Sequence, residues 1–285
     1  MKQLSWMDRL PEFGRSVVRQ GLGVARDGAT LRALSRAPHP RAQDIVSAVA
    51  RLRAPLPPPE RALLAKIEAE RGRLAAREEP LIDGTLPSGP YDDRVTVQQA
   101  CSVSKGKKSA LFLYLLVRAF KPELVIELGT NVGISSSYLA AALQVNGRGR
   151  LVTLEASPYR IRCAKGVHER VGLGNVTYVQ GLFTDTLETT LRELGTVDFA
   201  FIDGHHQYQP TLDYFGLIHR HATPDATYVF DDIRWSSGML SAWDEIQRDE
   251  RLSLSADLYS VGVCVAAGQE RPARYASAPI YAALM

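Results

Sequence analysis

The sequence predicts an α/β fold: a mostly parallel sheet with helices on both faces, preceded by a helical N-terminal segment. Short apolar runs alternate with helical patterns from Glu123 onwards, and this alternation is typical of a covered parallel sheet. The apolar run 124–128 is followed by a glycine turn and a helix start, as a buried strand would be. Two apolar stretches near the end, 253–258 and 260–266, predict a closing antiparallel pair.

Composition limits the class of protein. The chain has 285 residues, 45% of them hydrophobic, which suffices for one large domain or for a core domain with an appendage. The net charge of +3 is too small to indicate a nucleic-acid partner. Cys101, Cys163 and Cys264 lack zinc-site spacing and fit a reduced, cytoplasmic protein. No apolar run is long enough to span a bilayer, so we expect no membrane partner.

Residues 1–94 are predicted to form a helical segment and residues 95–285 the main domain. Helical spacing occurs at 15–24 and 60–77, and the proline-rich run 55–59 is expected to be a break or a rigid linker. The segment could be a solvated appendage, or it could mediate dimerisation or cover the substrate. The sequence leaves these alternatives and the oligomeric state open.

The remaining elements follow from periodicity. A helix is predicted from about Lys107 to just before Pro122. The preceding lysine-rich run, 104–108, could hold an anion, but a solvated charge run is the commoner explanation. Strands are predicted at 124–128, 150–155, 175–180, 197–203 and 226–231, and helices at 134–144, 158–171, 184–194, 207–221 and 237–249.

Two acids mark a possible ligand site at the carboxyl ends of the first two strands, where open α/β sheets bind ligands. Glu127 precedes Gly129 and Gly133, whose turn offers free amides to a carboxylate or phosphate and allows close backbone approach. Glu155 ends the second strand, and its carboxylate could accept hydrogen bonds from both hydroxyls of a ribose. The alternative is that Glu155 caps the helix that starts at Pro158.

A second group of acids follows the fourth and fifth strands. Asp203 and the pair Asp231-Asp232 should emerge at the same edge, where three carboxylates repel one another unless a cation joins them. Oxygen ligands favour magnesium or another hard divalent ion. The alternative is that Asp203 caps the next helix and the pair orders a loop.

These residues carry a resemblance to known enzymes. The E-x-G-x-x-x-G pattern resembles motif I of the class I S-adenosylmethionine (SAM) methyltransferases. Asp203-x-x-His206 with Asp231-Asp232 resembles the metal-dependent small-molecule O-methyltransferases of the catechol and macrolide-sugar types. The resemblance covers roughly residues 95–267. It implies a Rossmann-like seven-stranded sheet with the last strand antiparallel, SAM and Mg²⁺ (or another hard divalent cation) as cofactors, and a hydroxylated small-molecule acceptor.

The resemblance also implies site residues. The metal ligands would be Asp203, Asp231 and Asp232. The cofactor-binding residues would be Glu127, Gly129, Thr130, Asn131, Gly133, Ser135, Glu155, Gly181, Leu182 and Asp203. Beyond Leu182, Phe183 offers apolar packing for adenine.

His206 would be the general base, with Asp203 as its catalytic partner. Histidine suits this role because its unperturbed pKa lies near neutrality, and a metal would favour the alkoxide. His205 is the competing candidate. Trp235 and Tyr208 could line an apolar acceptor pocket or belong to the core.

The sequence therefore predicts a SAM-dependent, metal-dependent O-methyltransferase. Two alternatives remain: metal-independent N- or O-methylation, with the acids structural, and a SAM-binding protein that does not catalyse.

Overall fold

The protein's computed structural model describes residues 31–81, 95–258 and 260–268. Seven strands form one sheet in the order β3-β2-β1-β4-β5-β7-β6. They are β1 (Leu124–Leu128), β2 (Arg150–Glu155), β3 (Val176–Gln180), β4 (Val197–Ile202), β5 (Ala222–Asp231), β6 (Leu252–Leu258) and β7 (Val261–Ala266). Only β7 runs antiparallel to its neighbours β5 and β6. The predicted sheet, with its antiparallel last strand, is therefore confirmed.

Nine helices surround or precede this sheet within the described residues, and residues 31–36 are helical as well. They are α1 (Pro40–Arg51), α2 (Pro58–Ala75), α3 (Val97–Ser102), α4 (Lys107–Phe120), α5 (Ile134–Asn146), α6 (Pro158–Val171), α7 (Phe183–Leu194), α8 (Tyr208–Arg220) and α9 (Ser237–Ile246). The helices predicted from Lys107 onwards are all present. The predicted helix at 15–24 lies outside the described residues.

Helix α6 illustrates why the predicted boundaries hold. Ser157 caps its N-terminus by accepting a hydrogen bond from the Arg160 amide, and Pro158 occupies the first turn, where a missing N–H costs nothing. Gly172 ends the helix in the left-handed conformation with φ +88°, which suits glycine.

Several predicted boundaries differ from those of the structure. Pro58 and Pro59 are not part of a linker but form the first turn of α2, again because this turn needs no proline N–H. Strand β4 ends at Ile202 rather than at Asp203. Strand β5 starts at Ala222 rather than at 226, because an irregular register lets Ala222 pair with Val197.

The N-terminal helices pack on the main domain. Ile45 of α1 and Ile67 of α2 are fully buried in the same apolar cluster as Val125 of β1. Helix α2 is also held by polar contacts, since Glu60 accepts hydrogen bonds from the Tyr114 hydroxyl and the Arg118 guanidinium. Helices α1 and α2 therefore share a core with the sheet. The domain boundary at residue 94 stays a prediction.

Other expectations concern cysteines and membranes. Cys101, Cys163 and Cys264 are all free thiols and all buried. None of the helices in the described part of the chain is long and apolar enough to cross a membrane.

The shared core makes a testable prediction. Ile67→Ala should lower the free energy of unfolding by about 2–5 kcal/mol, because it deletes a fully buried side chain and leaves a cavity. Lys66→Ala, at an exposed position of the same helix, is the control and should change it by less than about 0.5 kcal/mol. Denaturant titration of both variants measures this. Equal stabilities would contradict a core shared by α2 and the sheet.

Candidate active site

The carboxyl ends of β1, β2, β4 and β5 meet at one edge of the sheet. Leu128 pairs with Leu154 of β2 and with Ile202 of β4, and Ile202 pairs with Phe230 of β5. Each of these strands carries an acid at or next to this point: Glu127, Glu155, Asp203 and Asp231. The strand register therefore gathers these four carboxylates at the edge where open α/β sheets bind ligands.

The turn after β1 needs both of its glycines for packing. Gly129 has φ +103°, and a Cβ there would collide with the backbone oxygen of Asp203. Gly133 has φ +92°, and a Cβ there would lie 2.7 Å from the Cα of Ala164 on α6. These glycines thus fix the turn against β4 and α6, in addition to any role in ligand approach.

Glu155 orders the rim of this turn. Its Oε2 accepts a hydrogen bond from the Asn131 amide at 2.9 Å, and its Oε1 accepts one from the Ser157 amide at 3.0 Å. The alternative predicted for Glu155 was to cap α6, and in the structure Ser157 is the residue that caps this helix. Because each carboxylate oxygen has two acceptor sites, Glu155 retains capacity for further donors.

Glu127 lies beneath the turn and is fully buried. The Thr130 and Thr153 hydroxyls are 2.5 Å apart, and Thr153 donates to Glu127 Oε2 at 2.7 Å. Burial raises the pKa of Glu127 to about 7, although hydrogen bonds from Thr153 and Ser135 oppose the shift. A carboxyl with this pKa is partly protonated at neutral pH.

The turn after β3 carries the last predicted cofactor residues. Gly181 donates its amide hydrogen to the Glu155 backbone oxygen at 3.1 Å. Leu182 is an exposed apolar residue, 37% accessible. Phe183 packs edge-on against Tyr214, with ring centroids 5.6 Å apart. An apolar surface is therefore available beside Glu155.

The second acidic group surrounds a lysine. Lys105, on the turn between α3 and α4, forms a salt bridge with Asp231, and its Nζ lies 3.6 Å from Asp232 Oδ1. The Lys105 side chain is only 14% exposed. The expectation that residues 104–108 are a solvated charge run is therefore wrong for Lys105.

The charges of this group are coupled. Burial raises the pKa of Asp203 to about 6, opposed by the Lys105 ammonium. Burial and the charge of Asp203 raise the pKa of Asp231 well above its usual range. Burial alone would lower the pKa of Lys105, but the neighbouring carboxylates outweigh it and raise that pKa, so the ammonium stays charged.

No preformed metal centre accompanies these acids in the part of the chain that the structure describes. There, no three His, Cys, Asp or Glu side chains are grouped so that they could hold a metal ion. The Lys105 ammonium contacts the carboxylate of Asp231 instead.

The two histidines after β4 differ in their surroundings. Both adopt positive φ, 69° for His205 and 37° for His206. The Nδ1 atom of His205 is hydrogen-bonded to the Tyr214 hydroxyl at 2.7 Å. His206 Nε2 lies 3.6 Å from Asp203 Oδ1, and its buried Nδ1 has no hydrogen-bond partner among the described residues.

An aromatic side chain, that of Trp235, lies beside His206. The Trp235 ring centroid lies 6.3 Å from that of His206, and Trp235 is 73% exposed. The Tyr208 side chain is also exposed, and its hydroxyl donates to Glu245 Oε2. Neither side chain is part of the core, so an apolar face lies open beside the histidine.

Part of this chain matches a known protein family. The model of a family described as "Methyltransferase domain" matches residues 126–233, which run from β1 to just after β5. Residues 126–233 are a methyltransferase domain. The resemblance to the class I SAM-dependent methyltransferases, given above from the motifs, is therefore confirmed.

Curated relatives of the methyltransferase domain include two bacterial proteins named catechol O-methyltransferase. The protein from Niastella koreensis is 31% identical over 134 residues, which cover 46% of this chain and 59% of the relative. The protein from Mycobacterium tuberculosis is 33% identical over 147 residues, covering 51% and 62%. The chain thus matches about three fifths of the length of these relatives.

Solved structures share the fold. An O-methyltransferase from Bacillus cereus, in complex with SAH, has a TM-score of 0.52 at 23% identity and covers 77% of this chain and 94% of its own. An SAH-bound methyltransferase from Podospora anserina has a TM-score of 0.55 at 17% identity, covering 80% and 96%. At such identities the likeness establishes the fold.

Sequence reasoning missed one residue of the methyltransferase domain's edge. Lys105 lies far from β4 and β5 in sequence and outside every motif. A weak signal was available: Lys105 directly precedes Gly106, the N-cap of α4. Only the folded arrangement brings this lysine to the acids.

The buried Glu127 makes the stability of the free protein depend on pH. Its pKa is about 7 in the folded protein against an ordinary value of 4.5. Between these pH values the folded state holds a proton that the unfolded state has released. Raising the pH through this window should therefore lower the free energy of unfolding by up to about 3 kcal/mol.

Glu127→Gln should remove the part of this dependence that is due to Glu127, because glutamine does not titrate, while the raised pKa values of Asp203 and Asp231 leave a part of their own. Denaturant titrations at pH 5 and pH 8 compare the two proteins, and Glu188→Gln, at an exposed carboxylate, serves as control. Parallel pH dependences for the original protein and Glu127→Gln would contradict the shifted pKa.

Proposed function

We propose that this methyltransferase domain transfers a methyl group from SAM to a hydroxyl oxygen of a small molecule. The observation that carries the proposal is His206, whose Nδ1 has no hydrogen-bond partner among the described residues and whose Nε2 lies near Asp203, on the strand edge that also bears Glu155. The named relatives are catechol O-methyltransferases, so a catechol is the first acceptor to test.

The residues at the edge fit SAM. Glu155 would accept hydrogen bonds from the ribose hydroxyls with its remaining acceptor sites, and the N-terminus of α5 would receive the methionine carboxylate. Leu182 and Phe183 would pack on adenine. SAM supplies an electrophilic methyl group on a sulfonium. The proposed contact set is Glu127, Gly129, Thr130, Asn131, Gly133, Ser135, Glu155, Gly181, Leu182 and Asp203.

The acidic group fits a hard divalent cation by its chemistry. The carboxyl groups of Asp203, Asp231 and Asp232 surround one ammonium, and carboxylate oxygens are the donors that Mg²⁺ prefers. We therefore propose Asp203, Asp231 and Asp232 as its ligands. A bound cation would favour the ionised form of an acceptor hydroxyl.

His206 would remove the acceptor's proton. An imidazole nitrogen with no hydrogen-bond partner among the described residues can accept that proton. Asp203, 3.6 Å away, would stabilise the resulting imidazolium. Trp235 would hold an apolar acceptor over the histidine, and such positioning is worth several kcal/mol. His205 is a poorer candidate because Tyr214 already engages its ring.

A metal-independent transfer is the second candidate, and Lys105 favours it. Its ammonium already compensates part of the negative charge at Asp231. The acids could therefore have a structural role at the site without a divalent ion. Methyl transfer in the presence of excess chelator separates the two candidates.

The base is tested by a matched pair of variants. Using labelled SAM and catechol, His206→Gln should lower kcat by about 10²–10⁴-fold, the usual loss for a general base. The remaining rate should rise with pH as the acceptor ionises. His205→Gln, with the neighbouring ring removed, should stay within a few-fold of the original protein. Full activity in His206→Gln with a loss in His205→Gln would assign the base to His205. No labelled product with any hydroxylated acceptor would refute the proposed function.

A further inference from the structure

Lys105 lies where the acidic group would receive a cation. Its ammonium contacts the carboxylate of Asp231, a residue with no exposed surface, and approaches Asp232 Oδ1 to 3.6 Å. A buried carboxylate requires a compensating charge. Among the described residues, Lys105 forms the only ion pairs recorded for Asp231 and Asp232.

An ammonium and a divalent cation compete for the same oxygen atoms. Lysine offers three donors and no acceptor, so Lys105 cannot itself ligate a metal. While it binds Asp231, it occupies acceptor sites that a metal would need, and its positive charge repels a second cation at short range. Each cation therefore weakens the binding of the other to this carboxylate.

The turn that carries Lys105 allows its side chain to withdraw. The neighbouring Val103 is 73% exposed, and nothing lies within 4 Å of a Cβ built at Gly106. The turn is nevertheless hydrogen-bonded to the glycine turn after β1, because Asn131 Nδ2 donates to Ala100 O at 2.8 Å and to Ser104 Oγ at 3.3 Å. The exposed side of this turn is where a displaced Lys105 side chain would lie.

We propose that the Lys105 ammonium and a divalent cation are alternative occupants of the Asp231 and Asp232 carboxylates, so that Lys105 sets the metal affinity of the domain. Without metal, Lys105 neutralises the buried acid. When a metal binds, it displaces the ammonium towards solvent. The proposal rests on the metal part of the proposed function.

Mn²⁺ binding to the full chain, measured by the electron paramagnetic resonance of free Mn²⁺, tests the proposal without any turnover. Lys105→Met removes the charge and keeps an unbranched side chain, and it should bind Mn²⁺ at least about tenfold more tightly than the original protein. Lys107→Met, at an exposed position of the same region, is the control and should stay within about twofold. Adding Asp231→Asn to Lys105→Met should abolish the gain.

A second measurement uses the unaltered protein. Acetic anhydride labelling followed by peptide mass spectrometry should show that saturating Mn²⁺ increases the reactivity of Lys105, with Lys107 as internal reference. This labelling measurement tests the proposal even if Lys105→Met fails to fold.

Either of two results overturns the proposal. One is unchanged or weaker Mn²⁺ binding by a folded Lys105→Met, including the absence of Mn²⁺ binding by both proteins. The other is a labelling rate of Lys105 that Mn²⁺ does not raise. Methyl transfer is assayed separately, so a protein that binds Mn²⁺ as expected but transfers no methyl group would refute the proposed function alone.

Discussion

Repulsion between carboxylates at one edge of the sheet is the constraint on which the rest of this site depends. Parallel strands in register bring Glu127, Glu155, Asp203 and Asp231 to the same edge. Three of them are accommodated in different ways: Glu127 by protonation, which its raised pKa favours, Glu155 by two backbone amides, and Asp231 by Lys105. Such an edge is suited to cationic ligands, and both a sulfonium cofactor and a divalent metal are cations.

Backbone strain is concentrated at the same edge. Of the six non-glycine residues with positive φ among those described, four belong to it: Asn131, His205, His206 and Asp232. Left-handed backbone costs free energy for such residues, and it tends to persist at functional sites where the surroundings fix it. Here the glycine turn after β1 packs against β4 and α6. The turn after β1 and the turn of His205 and His206 after β4 therefore lie on one rigid frame.

Much of the fold could be predicted from the sequence because local signals set it. Caps such as Ser157 and Gly172, and the apolar run 124–128, depend on neighbours in the chain. The gathering of acids was also predictable, since strand ends in a parallel sheet coincide. The position of Lys105 could not be predicted, because tertiary packing determines its partner and because a lysine run is usually solvated. The different surroundings of His205 and His206 likewise depend on Tyr214 and Asp203 in the folded protein.

The central claim is that this edge binds SAM, and calorimetric titration of SAM tests it most directly. The account predicts that the full chain binds SAM and that Glu155→Ala weakens binding by about 100-fold, since two charge-assisted hydrogen bonds to ribose are lost. Gln180→Ala, at the exposed end of the adjacent β3, should bind SAM as the original protein does. Equal SAM affinity in a folded Glu155→Ala, or no SAM binding by the original chain, would contradict the account.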